Sequence, residues 1–558
     1  MLRQLPALLL CALTAVSMGS GRISDSATSE SPVAESEIRP DPMASMAVII
    51  PNVDDDDGDG IADFEAAPTP SDDDLLRVVV QADTTLPAGA VLRTDVPKAW
   101  TGLIKVFAAG APGGTLRPVQ ASLALDDADR QGGRIALAIE AGAFAGPGRP
   151  RAIEIGVRFE TRDGAPVSAR TVTCTVAPFL VSSCLDPADS VHVVRTTLTE
   201  SFVRDLKPLV EQAHARLLAF EHPALRPHDI WFQDATEIGY AAAGDRLMHV
   251  ALHGNRGELL DDLFAKAFLR KDSGVVHEGR YRGRSAEWID WFGNLEVSPP
   301  LAVGGRAYPN GRVYTGRQGT RAMHPDVIGF LEAQGAQGPI LWLDTSWLLI
   351  GHVDETVSWV PSRVGTPFRM LVPSPRLALE ILQKAEKDAP GCILNRGTRR
   401  PDSGKGELLD VPVATALRDR AVLAGQQLVQ AKIDAVRRTL QAELGIADDD
   451  IVEIPVLFST PPGRFAGRYE ALTTNMVNSL LVGDTLIVPD PHGPLVNGTD
   501  VLLQAVRDRL EPLGCRVVAV DNFYPYHRFA GEVHCGTNVT RRPRTSALPH
   551  PAAGGLLR

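Results

Sequence analysis

The hydrophobic pattern of this chain changes near residue 198, and that change limits the folds that it can adopt. Before it, short apolar runs at residues 76–81, 134–139, 153–159 and 191–197 are separated by clusters of Gly, Pro and Asp, which predicts an all-β sandwich. After it, short apolar strands alternate with longer helical stretches, a pattern typical of an α/β domain. We therefore expect a sandwich over residues 46–198 and a larger α/β domain over residues 199–545.

Amphipathic segments mark the helices of the predicted α/β domain. They lie at residues 202–220, 376–389 and 417–444, and Gly445 follows the last one where a glycine commonly ends a helix. The intervening strands are predicted at residues 340–343, 370–372, 486–488 and 516–520. Two domains also suit the length of 558 residues, because a single core rarely grows beyond about 250–300 residues.

The two ends of the chain differ from the rest in composition. Residues 5–16 form an apolar run with Arg3 before it and the small residues Ser17 and Gly19 after it, so residues 1–19 are predicted to be a signal peptide for secretion or export to the periplasm. Residues 20–45, rich in Ser, Pro, Glu and Ala, predict a linker, and residues 546–558 predict a flexible tail. No apolar run reaches the length of about 20 residues that a membrane-spanning helix needs.

Charge and cysteine content restrict the partners. The chain has 68 acidic and 56 basic residues, a net charge of -12, which argues against nucleic acid and favours cations and basic peptides. Without Cys11 of the predicted signal peptide, the six cysteines become an odd number, so at least one thiol stays free or pairs outside the chain. In an exported protein Cys174 and Cys184 could form a disulfide, or both could stay free.

An acidic loop at residues 52–65, NVDDDDGDGIADFE, is the strongest local signal in the first half. Alternate carboxylates on a loop kinked by glycine can converge on one centre, and Ca²⁺ binds roughly six to eight oxygen ligands in irregular geometry. The loop departs from an EF-hand, because the twelfth position counted from Asp55 is Ala66. The acidic residues 72–74 follow and could complete a calcium site; a solvated acidic linker is the alternative.

Four short segments of the second domain carry reactive side chains. They are WFQDATE at 231–237, FGNLEVSPP at 292–300, GHVDE at 351–355 and GEVHCGTN at 531–538. In a strand, His352 and Asp354 would project from the same face and place a proton carrier beside a carboxylate. Cys535 lies in a turn bounded by glycines, where a substrate could reach it, although a lone cysteine is more often a small buried residue.

Taken together, residues 292–300, 351–355 and 532–538 resemble the signature segments of the calcium-dependent protein-arginine deiminases, in the same order and at similar separations. NMVN at 475–478 and GPLVNG at 493–498 also resemble that family, and the resemblance covers residues 200–545. It implies an immunoglobulin-like (Ig-like) β sandwich followed by an α/β pentein propeller of five ββαβ modules, in a shortened form without the N-terminal domain of the animal enzymes.

The resemblance also implies roles for individual residues. Cys535 corresponds to the nucleophile, His352 to the general acid and base, and Asp234 and Asp354 to the carboxylates that bind a guanidinium. Substrate binding is implied for Arg256 and Trp231. The implied Ca²⁺ ligands are Gln233, Glu237, Phe292, Leu295 and Glu296 beneath the active site, and Asn52, Asp54, Asp56, Asp63, Asp74 and Asp272 around the acidic loop.

The implied reaction converts arginine in proteins or peptides to citrulline and ammonia, in a monomer or a homodimer. Ala235 replaces a glutamate that the family usually has, and Phe529 replaces an arginine found in some members. One alternative is a calcium-independent deiminase of free arginine or agmatine, and another is a non-catalytic calcium-dependent binding protein. A cysteine protease is disfavoured, because two additional carboxylates would repel an oxyanion.

Overall fold

A computed structural model describes residues 47–66, 74–109, 115–130, 133–278, 287–400, 407–461 and 465–543. The predicted signal peptide, linker and C-terminal tail, together with residues 72 and 73, lie outside these residues. Within the described ranges, no helix is long and apolar enough to cross a membrane.

Residues 47–176 form two sheets that pack face to face. One sheet contains Ala47–Ile49, Val91–Asp95, Leu123–Ala124, Ala152–Glu160 and Pro166–Val176, and the other contains Leu76–Gln81, Ile104–Ala109, Arg117–Pro118 and Arg134–Ala141. Alternate side chains such as Ile153 and Ile155 are fully buried against Val106 and Ile135 of the other sheet, as the two-residue period of a strand requires. The predicted sandwich is present, and its immunoglobulin-like topology stays a prediction.

The remainder of the chain repeats one ββαβ unit five times. In each module the first two strands pair antiparallel, a helix follows, and the last strand lies parallel beside the second. A parallel return needs a crossover connection, and the helix supplies it.

The modules are named here by the order of their first strands. The first contains Thr236–Ala243, Arg246–His253, helix Leu259–Phe268 and Ser273–Val276; the second contains Leu295–Val297, Val313–Gln318, helix Pro325–Gln334 and Leu341–Asp344. The third contains Ser358–Pro361, Phe368–Ser374, helices Pro375–Asp388 and Arg420–Leu444, and Ile451–Pro455; the fourth contains Leu480–Val482, Thr485–Pro489, helix Val501–Leu510 and Arg516–Val520. The fifth contains Thr537–Arg541, Ala188–Val194, helix Glu200–Gln212 and Arg216–Phe220.

The remaining helices and strands are short. They are the helices Asp63–Ala66, Asp127–Arg130, Phe232–Ala235 and Val413–Ala416, and the strands Leu180–Val181, Leu301–Val303, Arg306–Tyr308, Arg321–Ala322, Ile393–Leu394, Arg399–Arg400, Glu407–Leu408, Val411–Pro412, Phe458–Ser459, Glu470–Ala471, Leu495–Val496 and Thr499–Asp500.

The fifth module includes a strand that lies before the predicted domain boundary. Ala188–Val194 pairs with the last strand of the chain, Thr537–Arg541, and with Arg216–Phe220. The strand predicted at 191–197 therefore belongs to the second domain, which begins before residue 188 rather than after residue 198. Apolar periodicity identified the strand, but only long-range pairing decides which sheet receives it.

A single cavity lies where the five modules meet. Its walls include at least one residue from the first strand of each module, among them Ile238, Glu296, Trp359, Leu480 and Val539. The five first strands thus surround a common centre, which agrees with the pentein arrangement. The chain segments that enter these strands must consequently converge at the ends of the cavity.

The predicted helices occur with small changes at their ends. The segment 202–220 divides into a helix and a strand, because His214 turns the chain with a φ of 65°. The segment 417–444 begins its helix only at Arg420, where the carboxylate of Asp419 accepts the N–H groups of Ala421 and Val422. Gly445 ends that helix in the left-handed conformation, as predicted.

Candidate active site

The reactive residues lie just before the first strands of the modules. Asp234, Gly293, Asn478 and Cys535 each precede a first strand by two residues, and Asp354 precedes that of the third module by four. Because the five first strands surround one cavity, their entry points face one another. The module repeat therefore gathers groups that lie up to about three hundred positions apart in the sequence.

Cys535 is held by groups from three other modules. Its Sγ lies 3.4 Å from Oδ2 of Asp354 and 3.2 Å from Nδ2 of Asn478. Its N–H donates to Oδ1 of Asn478 at 3.3 Å, and its carbonyl accepts the N–H of Gln233 at 3.2 Å. The thiol is thereby fixed on a buried backbone segment rather than on a mobile loop.

Gly293 reveals how closely the other groups converge. A methyl group at this position would lie 2.5 Å from Nδ1 of His352, 2.9 Å from Oδ1 of Asp234 and 3.2 Å from Oδ2 of Asp354. The N–H of Gly293 also donates to Oδ1 of Asp234 at 3.1 Å. One imidazole and two carboxylates thus point at a single small space, which only a residue without a side chain leaves open.

His352 lies at the start of a turn, not in a strand as expected. The carboxylate of Glu355 accepts the N–H groups of Gly351 and His352, at 3.2 and 3.0 Å, and closes a 3₁₀ turn over Val353–Glu355. Nε2 of His352 lies 2.7 Å from the carbonyl oxygen of Trp288. A carbonyl only accepts, so Nε2 carries a proton, and Nδ1 faces Asp234 at 3.6 Å.

Burial controls the protonation of the site. It raises the pKa of Cys535 well above its usual value, and the carboxylates of Asp354 and Asp234 raise it further. Burial also raises the pKa of Asp234 and, more strongly, that of Glu355. The resting site therefore disfavours a thiolate until a cation offsets the carboxylates.

A cleft leads from solvent to the thiol. Trp231, Asp234, His352 and Cys535 line it together with apolar side chains, of which Phe529 is 39% exposed. Trp231, for which substrate binding is implied, makes an edge-to-face contact with Tyr526, with ring centroids 5.6 Å apart, which holds the indole in place. An apolar channel ending at carboxylates suits a long side chain with a cationic tip.

Arg256 does not line this cleft in the structure. Its side chain is 1% exposed, and its guanidinium donates to Asp261 at 2.7 and 2.9 Å and to Asp229 at 3.2 Å. The implied role in substrate binding would require it to leave these partners. In the structure Arg256 makes buried ion pairs within the first module, and its role towards substrate stays a prediction.

Carboxylates implied as calcium ligands line the central cavity, together with Asp354, which contacts the thiol. Nε2 of Gln233 donates to Glu237 at 2.8 Å and lies 3.4 Å from the carbonyl of Phe292. Burial raises the pKa of Glu237 well above its usual value and that of Glu296 to about 7. Desolvated carboxylates that repel each other beside neutral oxygen donors fit a hard cation. Leu295, implied as a carbonyl ligand, begins the adjoining first strand.

The acidic loop of the sandwich also contains desolvated oxygens that would fit a cation. Oδ1 of Asn52, Asp54 and Asp63 is buried and finds no donor within the described residues, and burial raises the pKa of Asp54 to about 6. Such orphaned oxygens are costly unless a cation takes them. Carboxylate oxygens of Asp56, Asp63 and Asp74 also lie within 4.8 Å of one another.

Asp55 and Asp272 shape the acidic loop through backbone hydrogen bonds. Asp55 accepts the N–H groups of Gly58 and Gly60 at 2.7 and 2.8 Å, which curls the loop. The N–H of Asp272 donates to Asp54 at 2.7 Å. This contact places the implied ligand Asp272, from the first module, beside the loop of the sandwich.

Cys174 and Cys184 are both free thiols. Cys174 lies in the core of the sandwich, whereas Cys184 packs against the core of the third and fourth modules and donates to the carbonyl of Trp359. Burial raises the pKa of both to about 12. Of the two expected alternatives, the structure has the two free thiols.

Sequence reasoning assigned no role to three residues of this site. Asn478 belongs to the NMVN segment that carried the resemblance, and Gly293 to the FGN segment. His534 precedes Cys535 and contacts Asp354 at 3.0 Å and Glu296 at 3.3 Å. Although burial favours its neutral form, Glu296 and Asp354 outweigh that effect and raise its pKa. Asn478 and His534 could have been found from the sequence, because both lie inside segments that resemble the deiminase family.

A cysteine, a histidine and two aspartates that lie just before the first strands of a fold with five ββαβ modules define a pentein-type protein with a thiol site. The profile of the family described as Protein-arginine deiminase (PAD) matches residues 166–547. The chain belongs to the protein-arginine deiminase family.

Individual relatives agree with this assignment. The protein-arginine deiminase type-4 of Mus musculus is 37% identical over 382 residues, which cover 67% of this chain and 56% of the relative. The type-3 protein of Homo sapiens is 36% identical over 390 residues, covering 69% and 57%. The chain thus spans little more than half the length of these relatives. A solved C. jejuni agmatine deiminase, at 11% identity and a TM-score of 0.37 over 65% of this chain and 96% of its own, is too distant to add to the argument.

Proposed function

We propose that this protein hydrolyses the guanidinium group of arginine in proteins or peptides, giving citrulline and ammonia. The observation that carries the proposal is the convergence at Gly293, where His352, Asp234 and Asp354 reach one small space beside Cys535. Two carboxylates suit a planar cation with paired donors, because each can accept charge-assisted hydrogen bonds from it. The apolar cleft would hold the aliphatic stem.

Substrate binding would prepare the nucleophile. The thiol faces Asp354 and carries a raised pKa, so it is protonated in the resting enzyme at neutral pH. A guanidinium between Asp234 and Asp354 would neutralise the charges that oppose a thiolate. His352 would take the proton of the thiol at Nδ1, and the thiolate would attack the central guanidinium carbon, forming a C–S bond as the C=N π electrons move to nitrogen, with the side-chain N–H of Asn478 supporting the sulfur.

His352 would move the protons of the two half-reactions. In the first, it would protonate the departing nitrogen, the C–N bond would break, and ammonia would leave a thiouronium intermediate. In the second, its Nδ1 would accept a proton from water as the water attacks the same carbon. Cleavage of the C–S bond would then release citrulline, and the thiolate would regain its proton from Nδ1 of His352. The Trp288 carbonyl keeps Nε2 protonated and aims Nδ1 at the reacting groups.

We also propose that Ca²⁺ binds both acidic clusters. Gln233, Glu237 and Glu296, with backbone oxygens of Phe292 and Leu295, would hold it beneath the active site; Asn52, Asp54, Asp56, Asp63, Asp74 and Asp272 would hold it at the loop. The cation would supply charge neutralisation of buried carboxylates there. Gln233 adjoins Asp234, so ordering this segment would fix a carboxylate that binds substrate.

The decisive experiment measures citrulline formed from a blocked arginine peptide, with Ca²⁺ or with chelator, by the wild type and Cys535→Ala. Calcium-dependent turnover that the variant lacks supports the whole proposal. Equal turnover in chelator keeps the chemistry and removes the metal requirement. No product from peptide or free arginine, under reducing conditions with Ca²⁺, contradicts the function and favours a binding protein.

Export is a separate proposal, supported by the apolar run at residues 5–16. We propose that residues 1–19 are removed and that the protein acts in the periplasm or the medium. Mass spectrometry of the protein from a secreting host tests this, and a retained N-terminus in the cytoplasmic fraction contradicts it.

A further inference from the structure

A second groove adjoins the active-site cleft. Trp288, Trp291 and Ile350 line both spaces, so the groove is continuous with the cleft that leads to Cys535. It extends past Phe465, with Arg321 and Arg468 also along its walls. The proposed reaction uses none of these last three side chains. An arginine side chain in the cleft would leave its own backbone near the point where the groove begins.

Aromatic rings form a partly open surface in the groove. Trp288 and Phe465 are stacked, with ring centroids 6.1 Å apart and an interplanar angle of 30°, and Trp288 is 39% exposed. Trp291 lies 6.5 Å from Trp288 and extends the surface towards the cleft. Flat, exposed aromatic faces of this kind accept apolar side chains of a peptide with little loss of conformational entropy.

The groove also carries positive charge on an otherwise acidic protein. Arg321 pairs with Glu287, with Nε 3.0 Å from Oε2. Arg468 donates to the carbonyl of Leu349 at 3.3 Å and, among the described residues, pairs with no carboxylate. Its charge is therefore available for an acidic group. Since the chain as a whole has a net charge of -12, this local charge would select an occupant more strongly than the general surface does.

We propose that the groove binds the substrate chain next to the target arginine, with an apolar side chain against Trp288 and Phe465 and a carboxylate at Arg468. This inference rests on the proposed function and specifies its substrates: peptides with an aromatic residue followed by an acidic one beside the arginine. The ring of Trp288 would contact the flanking residue, while its carbonyl orients His352. Trp288 would thus recognise the flanking residue directly beside the catalytic groups.

The test compares kcat/KM values for citrulline formation. The substrates are a blocked single arginine and peptides of equal length that carry Phe-Glu on either side of the arginine, each with a Phe-Lys counterpart. We expect a Phe-Glu peptide to exceed its counterpart by about three- to tenfold, in the range of a partly exposed charge pair. Arg468→Glu should invert that ratio, and Phe465→Ala should lower kcat/KM for the long peptides relative to the blocked arginine.

Arg204→Glu is the matched control, because it makes the same charge change on the exposed helix Glu200–Gln212, with a side chain 71% exposed. It should keep the preference. Arg468→Gln, which should abolish rather than invert the ratio, serves if thermal unfolding shows that Arg468→Glu is unstable. Equal values for Glu and Lys peptides in both positions, or a preference that survives both Arg468 variants, overturns the groove assignment. Absence of citrulline from the blocked arginine too would instead refute the proposed function.

Discussion

The Sγ atom of Cys535 and the Oδ2 atom of Asp354 lie 3.4 Å apart, so the thiol donates its proton towards a carboxylate that we propose to bind substrate. An anionic neighbour opposes formation of a thiolate, and burial opposes it as well. The site therefore couples reactivity to binding. A cation between the carboxylates removes the penalty, whereas a neutral ligand does not.

This coupling predicts selective alkylation of Cys535. A cationic haloacetamidine should inactivate the protein at least tenfold faster than a neutral haloacetamide, since about 1.4 kcal/mol of thiolate stabilisation corresponds to tenfold. Asp354→Asn should reduce that ratio. Because the pKa of the thiol is raised, less thiolate exists at any given pH, and the rate with the neutral reagent should still rise as pH passes 9. Mass spectrometry of labelled protein follows both rates; similar rates for both reagents contradict the coupling.

Gly293→Ala should abolish turnover while the protein stays folded. The added methyl group would lie 2.5 Å from His352 and 2.9 Å from Asp234, closer than any real contact, and the space for the guanidinium would be filled. We expect a loss of at least a hundredfold in kcat/KM, which corresponds to about 2.7 kcal/mol. Citrulline assays and circular dichroism check the two halves of the prediction. Near-normal activity would show that the glycine is not part of the substrate space.

The local hydrophobic pattern predicted most strands and helices, but not the pairing of strands from the two ends of the second domain that completes the fifth module. Apolar periodicity placed strands such as Arg516–Val520 and the helix that Gly445 ends. It could not place Ala188–Val194, because a strand's period is the same whichever sheet receives it, and its partner Thr537–Arg541 lies at the other end of the chain.

The candidate site was predictable for a different reason. Shared segments assigned Cys535 and His352 to roles, yet the contact between Asn478 and Cys535 depends on how the fourth and fifth modules meet. The turn at His352 was missed since it depends on the side chain of Glu355, which closes it. Arg256 was assigned to substrate, but folding supplies it with two buried carboxylates that no sequence spacing predicts.

The burial of Arg256 predicts a large effect on stability. Arg256→Gln would leave Asp261 and Asp229, whose side chains are 1% and 5% exposed, without their cation. Removal of one partner from a buried ion pair typically costs about 3–5 kcal/mol. Urea denaturation should show a loss of this size, whereas Arg204→Gln, at an exposed pair, should change stability by less than about 1 kcal/mol. A stable Arg256→Gln protein with a raised KM alone would restore the implied contact with substrate.

The carboxyl of Glu296 predicts how pH and Ca²⁺ act on stability. Burial raises its pKa from 4.5 to about 7, so between these values the folded state binds a proton that the unfolded state releases, and its contribution to stability falls as pH rises through the window. Without metal, Glu296→Gln should therefore be more stable than the wild type at pH 8, by up to about 3 kcal/mol, and nearly equal to it at pH 4. Ca²⁺ should reverse the order at pH 8, because only the carboxylate gains from the cation.

Thermal unfolding of both proteins at both pH values, with Ca²⁺ or with chelator, measures these differences. Asp63→Asn, which alters only the loop of the sandwich, separates the two proposed calcium sites. If Ca²⁺ raises the Tm of Glu296→Gln as much as that of the wild type while Asp63→Asn loses the effect, the metal binds at the loop and not beneath Cys535.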